Sequence, residues 1–184
     1  PGSRHQWIAA EVTAADYVDW IDLLERPNAL IVAVDQVTDP RNLGAILRAG
    51  EAMGATGALI TRNRCARLGP TVAKTSAGGS ELLPVAMEAN LARSLRAAQD
   101  GGVQVVGADL DGVPPSTIDL TVPTILVIGA EGRGLRRLTR ETCDRIATIP
   151  MSGLTDSLNA GTAAGILIYE ACRQRLQGSN KSTV

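Results

Sequence analysis

Two short runs constrain this chain most: "ALIVAV" at 29–34 and "TILVIG" at 124–129. Each is continuously apolar and only six residues long, with polar or turn-forming residues on both sides. A half-buried strand alternates apolar and polar residues. A strand covered on both faces does not, and runs of this kind belong to parallel sheets. Further strands are expected at 57–61, 82–86, 103–109 and 145–150, and helices at 40–53, 70–77, 90–102, 134–143 and 157–176. Strands alternating with helices predict an α/β fold, a mostly parallel sheet with helices on both faces. Residues 14–25, "AADYVDWIDLLE", predict a short acidic amphipathic helix.

At 184 residues the chain suits one domain with a real core. It has no Phe, and Trp and Tyr number two each, so the core must come from Val, Ile, Leu and Ala. The shortage of rings argues against base stacking as the main grip on a ligand. Net charge is −1 but unevenly spread. Residues 52–80 carry Arg62, Arg64, Arg67 and Lys74 with no acid, and residues 133–145 hold five arginines against Glu141 and Asp144. These two local basic patches suit either solvent or phosphate. Cys65, Cys143 and Cys172 have neither metal-ligand nor redox spacing and read as thiols of a reducing cytoplasm. With His5 the one histidine, neither a metal site nor Ser-His-Asp chemistry is supported. No apolar run approaches a membrane span.

Three stretches carry chemistry. In "TDPRNLGAILRAGEAMGA", 38–55, Asp39 caps a helix, Pro40 takes its first position and Gly54 ends it. Leu43, Ile46, Leu47 and Met53 form the apolar face; Arg48 stands opposite, beside Gly44, Ala45 and Ala52. In "TILVIGAEGRGL", 124–135, a buried strand runs into Gly129, Glu131, Gly132 and Gly134. That is either a glycine-rich structural turn or a cofactor cradle at a strand's carboxyl end. The order G-x-x-G-x-G is not the dinucleotide fingerprint. In "IPMSGLTDSLNAGTAAGILIYEACRQR", 149–175, Asp156 or Ser157 can cap the last helix. Ala160, Gly161, Ala164, Gly165 and Cys172 line one face of it, a ridge suited to close helix contact, expected between subunits.

Together, and in this order, the stretches resemble the three motifs of the SpoU-like RNA ribose 2′-O-methyltransferases of the SPOUT class, over roughly residues 30–176. The first is Asn42 to Arg48, the second "GAEGRGL", the third "IPM" with "SLNAG". The resemblance is strongest to bacterial 23S rRNA guanosine 2′-O-methyltransferases. "RHQWIAAEV" is similar to the segment joining their RNA-binding domain to the catalytic domain, with Trp7 in place of a glycine. It thus implies a linker and short helix over 1–28 from an RNA-binding domain missing here, a catalytic domain over 29–176, and a loose tail over 177–184.

The resemblance also implies a C-terminal trefoil knot that holds S-adenosylmethionine, and a homodimer formed through the last helix and the motif regions. By motif, the cofactor would meet Gly129, Gly132, Ile149, Met151 and Leu158. Arg48 would be the catalytic residue, with Asn42, Glu131, Ser157 and Asn159 orienting it and the ribose. A guanidinium keeps its proton at neutral pH, so Arg48 suits an electrostatic clamp on the target phosphate and developing alkoxide, with water taking the proton. Its small neighbours would leave room for RNA or a partner subunit. The expected substrate is a guanosine of 23S rRNA; a tRNA ribose or an rRNA adenosine are alternatives. A catalytically silent RNA-binding assembly factor and a dinucleotide-dependent enzyme are the competing functions.

Overall fold

A computed structural model describes residues 16–181. The short helix α1 (Trp20–Leu24) precedes β1 (Leu30–Asp35), α2 (Pro40–Ala52) and β2 (Gly57–Thr61). Then come α3 (Pro70–Ser76), α4 (Gly79–Leu82), β3 (Val85–Glu88), α5 (Leu91–Asp100) and β4 (Gln104–Val113). After β5 (Thr124–Gly129) follow α6 (Arg137–Thr142), β6 (Arg145–Ala147) and α7 (Ala160–Lys181). The strands form one sheet in the order β3-β2-β1-β5-β4-β6, and every pairing is parallel.

The two apolar runs are the central pair, in register from Leu30 opposite Thr124 to Asp35 opposite Gly129. Successive side chains point to opposite faces of a sheet. Leu30, Val32, Val34, Leu126 and Ile128 pack beneath α2 and α7, with Leu43, Ile46, Leu47, Leu167 and Ile168. Ile31, Ala33, Ile125 and Val127 join Trp20, Leu23, Leu91 and Leu95 on the other face. Both faces are covered, which is why the middle of each strand, Ile31–Val34 and Ile125–Ile128, holds no polar residue.

Helix ends follow local chemistry. The Asp39 carboxylate accepts the Arg41 N–H at 2.8 Å and Pro40 occupies the first turn. The Asn90 side chain likewise accepts the Arg93 N–H at 3.2 Å to start α5.

Several expected boundaries shift. The strand expected at 82–86 is Val85–Glu88, because 79–82 form the extra helical turn α4. The helix expected from 134 starts at Arg137, since 134–136 belong to the glycine bend. The strand expected to reach 150 ends at Ala147, where Thr148 turns its N–H to Val113 and its hydroxyl to Leu110. The last helix starts at Ala160, not 157, and its cap is Asn159 rather than Asp156 or Ser157. It continues to Lys181, so residues 177–181 are helical rather than a loose tail. Residues 1–15 and 182–184, with the expected linker segment, lie outside the described residues.

Ala147 pairs with both Ala108 and Val113, so 108–113 bend around the end of β6. The approach is close: a Cβ on Gly112 would lie 2.4 Å from the Ile146 carbonyl oxygen. From this edge strand the chain returns to the middle of the sheet, where α7 lies on α2 and β5. That path is consistent with the trefoil threading the resemblance implies.

The three cysteines are free and half-buried. Burial pushes the Cys65 thiol up to about 11 and Cys143 to about 12. No described helix is long and apolar enough to cross a membrane, and no described group of His, Cys, Asp and Glu could hold a metal ion.

Candidate active site

The functional candidates other than Arg48 gather where the parallel strands end at their carboxyl edge, the usual ligand side of such a sheet. At the end of β5 the chain makes a tight turn. The Ala130 N–H donates to the Gly134 carbonyl at 3.1 Å, and the Gly134 N–H returns a bond to Ala130 at 2.9 Å. Gly132 (φ 72°) and Gly134 (φ 64°) are left-handed, as closing so small a loop requires. A Cβ on Gly129 would lie 2.3 Å from the Gly134 carbonyl carbon, so the chain touches itself there. The glycines therefore first build the turn; the surface they expose is a consequence.

That turn is anchored from β1. The Asp35 side chain is fully buried, and its carboxylate accepts the Arg136 N–H at 2.9 Å and the Arg136 Nε–H at 2.6 Å. Sequence reasoning missed this pair. The available signal was an acid closing an otherwise apolar strand, "ALIVAVD". A buried carboxylate needs hydrogen-bond donors, and here a backbone N–H and a guanidinium of one residue lock the far end of the bend. Asp109, at the same edge of β4, is held by Arg140 at 3.2 Å.

A directional line of hydrogen bonds joins the three segments. The Asn159 Oδ1 accepts the first N–H groups of α7, Gly161 at 2.9 Å and Thr162 at 3.3 Å. Its Nδ2 donates to Asn42 Oδ1 at 2.8 Å, and Asn42 Nδ2 donates to Glu131 Oε2 at 3.1 Å. The partly positive start of α7 lies at one end and a carboxylate at the other, so each dipole supports the next. Asn42, Glu131 and Asn159, chosen from three distant stretches, are thus in direct contact.

Two cavities meet at this line. One, of about 260 Å³, is lined by Gly129, Gly132, Ile149, Met151 and Leu158, which includes every residue expected to hold a cofactor. Ile128, Ala147, Ala160 and Ala163 make its walls largely aliphatic, and Asp109, Glu131, Asp156 and Ser157 supply polar groups. The other, of about 530 Å³, is lined by Gln36, Val37, Thr38, Asp39, Asn42 and Arg64. Ala130, Glu131 and Arg133 border both.

Arg48 is not among the residues of either cavity. It is exposed, and its guanidinium has no hydrogen-bond or ion-pair partner among the described residues. Two of its small neighbours, Gly44 and Ala45, face other helices of the same chain. A Cβ on Gly44 would lie 1.9 Å from Thr75 Oγ1, so Gly44 admits α3. A Cβ on Gly161 would lie 2.8 Å from the Ala45 Cβ, and one on Gly165 would lie 4.0 Å from the Ala49 Cβ. The small ridge of α7 is therefore taken up by α2 of the same chain, not by a second subunit as expected.

A parallel sheet with this arrangement at its carboxyl edge defines an α/β domain of the methyltransferase type expected from the motifs. The chain belongs to the SpoU rRNA methylase family, which matches residues 29–169. An uncharacterized tRNA/rRNA methyltransferase of Mycobacterium sp. (strain KMS) is 46% identical over 177 residues, 93% of this chain and 56% of that protein. The chain thus spans little more than half the length of such relatives. The 23S rRNA (guanosine-2′-O-)-methyltransferase RlmB of Photobacterium profundum is 45% identical over 183 residues, 95% of this chain and 73% of that protein. Among solved structures, the SpoU methyltransferase AviRb from Streptomyces viridochromogenes, in complex with AdoMet, matches with a TM-score of 0.80 at 34% identity. That match covers 91% of this chain and 68% of AviRb.

Proposed function

We propose that this chain is the methyl-transferring unit of an S-adenosylmethionine-dependent RNA ribose 2′-O-methyltransferase, with a guanosine of 23S rRNA as its target. The observation that carries the reading is the line Asn159–Asn42–Glu131, which stands at the junction of an aliphatic cavity and a polar one. The RlmB relative supports the choice of base and RNA.

The aliphatic cavity suits the cofactor chemically. Ile149, Met151 and Leu158 offer an apolar wall for a purine, and Asp109, Glu131 and Asp156 offer carboxylates to a ligand bearing a sulfonium and an ammonium. S-adenosylmethionine supplies an activated methyl group. The protein's own part is positioning: the line of hydrogen bonds fixes Glu131 between the two cavities, and Ser157 stands on the cofactor side. A ribose held at that wall would have its hydroxyl oriented for transfer.

Arg48, with no side-chain partner among the described residues, acts on the substrate's phosphate and the developing alkoxide. It does so from a dimer in which it faces the neighbouring site. The dimer surface is not the small ridge of α7 but the exposed side next to it, where Ile166, Tyr169 and Leu176 are 38%, 58% and 63% exposed.

The test is transfer of radiolabelled methyl groups from S-adenosylmethionine to 23S rRNA and to bulk tRNA, followed by mapping of the modified nucleotide. Arg48→Ala is expected to lower kcat on the order of 10²–10³-fold while leaving cofactor affinity unchanged. Methylation of tRNA or of an rRNA adenosine would correct the target. Cofactor binding with no transfer to any RNA would favour an assembly factor. A fully active Arg48→Ala protein would remove this role for Arg48.

A further inference from the structure

We infer that the polar cavity receives the nucleotide to be methylated, with Arg64 and Arg133 gripping the phosphodiesters on either side of it. This rests on the methyltransferase reading and specifies the substrate side of that site.

Position comes first. Ala130, Glu131 and Arg133 form the wall between the two cavities, so a sugar at that wall lies beside whatever the aliphatic cavity holds. A volume of about 530 Å³ falls within the ordinary range for small-ligand sites, roughly 300–1,000 Å³.

Charge is the second argument. Arg136, Arg137, Arg140 and Arg173 each pair with a carboxylate. The side chains of Arg64 and Arg133 have no hydrogen bond or ion pair among the described residues, and both are exposed at the cavity. The acids nearby are already engaged: Asp39 caps α2 and Glu131 accepts Asn42. Two planar, multi-donor cations are therefore left for an anion, and phosphate fits their fork geometry.

The third argument is backbone. Gln36 (φ 63°) and Arg64 (φ 56°), on the loops after β1 and β2, are left-handed non-glycine residues, and both line this cavity. The loops are tied together by the Ala66 N–H donating to the Val37 carbonyl at 2.8 Å. Such conformations are disfavoured for side-chain-bearing residues and gather at ligand sites. Here they fix the loop that presents Arg64. Among the described residues no aromatic side chain lines the cavity, so the grip is on the backbone of the RNA rather than by stacking.

The experiment measures dissociation constants for a fluorescein-labelled single-stranded 12-nucleotide RNA across a KCl series, with the whole chain. Arg64→Ala and Arg133→Ala are each expected to flatten the log–log salt dependence by about 0.7, one phosphate contact on a single strand. Arg64→Lys should recover most of that slope, which separates charge from loss of fold. Arg93→Ala, exposed on α5 at the other face of the sheet, should change nothing. Unaltered slopes in both alanine variants, a loss in Arg93→Ala of equal size, or no RNA binding by the parent at 50 mM KCl would overturn the assignment. A parent that binds RNA with the expected slopes but neither binds S-adenosylmethionine nor transfers methyl would sink the enzymatic reading alone.

Discussion

The two cavities share a wall and differ in almost everything else. The aliphatic one is shaped by backbone turns and by Ile128, Ile149 and Leu158, and suits a ligand held by fit. The polar one is shaped by loops carrying Gln36, Asp39, Arg64 and Arg133, and suits a ligand held by charge. A ligand in the first is sensitive to ångström displacements of the chain; a ligand in the second is sensitive to salt. The lesson is that the line Asn159–Asn42–Glu131 couples two sites of different physics, so substitutions on each side should separate cofactor binding from RNA binding.

The harshest way to break that separation is Gly129→Ala. Its new methyl would press on Gly134 backbone atoms at 2.3–2.4 Å, which cannot give way as a side chain can. We expect a loss of about 3 kcal/mol or more by thermal or urea unfolding, and loss of both binding functions together. A variant of parental stability would show that the turn has room to relax.

Asn42→Ala sharpens the comparison. Asn42 borders only the polar cavity, yet it holds Glu131 and Asn159. Methyl transfer should fall on the order of a hundredfold through misplacement of the shared wall, while calorimetric affinity for S-adenosylmethionine stays within about twofold. An equal fall in cofactor affinity would mean the two cavities are not separable at this residue.

Asn159→Ala has the smallest expected effect. It removes the cap on α7, and about 1 kcal/mol of stability should go with it, read as a lower urea midpoint. Transfer should decrease less than for Asn42→Ala, because Asn42 keeps its bond to Glu131. A larger loss of activity than of stability, relative to Asn42→Ala, would make Asn159 the more important member of the line.

Much of the scaffold was legible beforehand, and for local reasons. The runs at 29–34 and 124–129 read as short strands buried on both sides, and they proved to be the central pair. Asp39, Pro40 and Gly54 delimit α2 by side-chain and backbone preferences that need no tertiary partner. Where neighbours decide, expectation and structure part. Thr148 leaves β6 because Val113 and Leu110 offer it partners, and Asn159 displaces Ser157 as cap because Asn42 lies within its reach. In the site, Asn42, Glu131 and Asn159 were identified as a set through motif order, and the five positions expected to meet a cofactor line one cavity. Arg48 stands apart from both cavities, and Asp35 with Arg136 was overlooked, since their pairing spans a sequence separation of 101 residues.

The amino-acid order alone specified which segments become the main strands and helices, where α2 starts, and that both faces of the sheet are covered. These outcomes follow from side-chain periodicity and capping, which act within a few residues. Only the folded molecule decided what the small residues are for. Gly44, Ala45 and Gly161 are small because α3 and α7 come to lie on α2, and no local pattern encodes which helix will arrive. The meeting of the two cavities at Glu131 is likewise a matter of strand order, which brings the ends of β1 and β5 side by side although the chain between them is long.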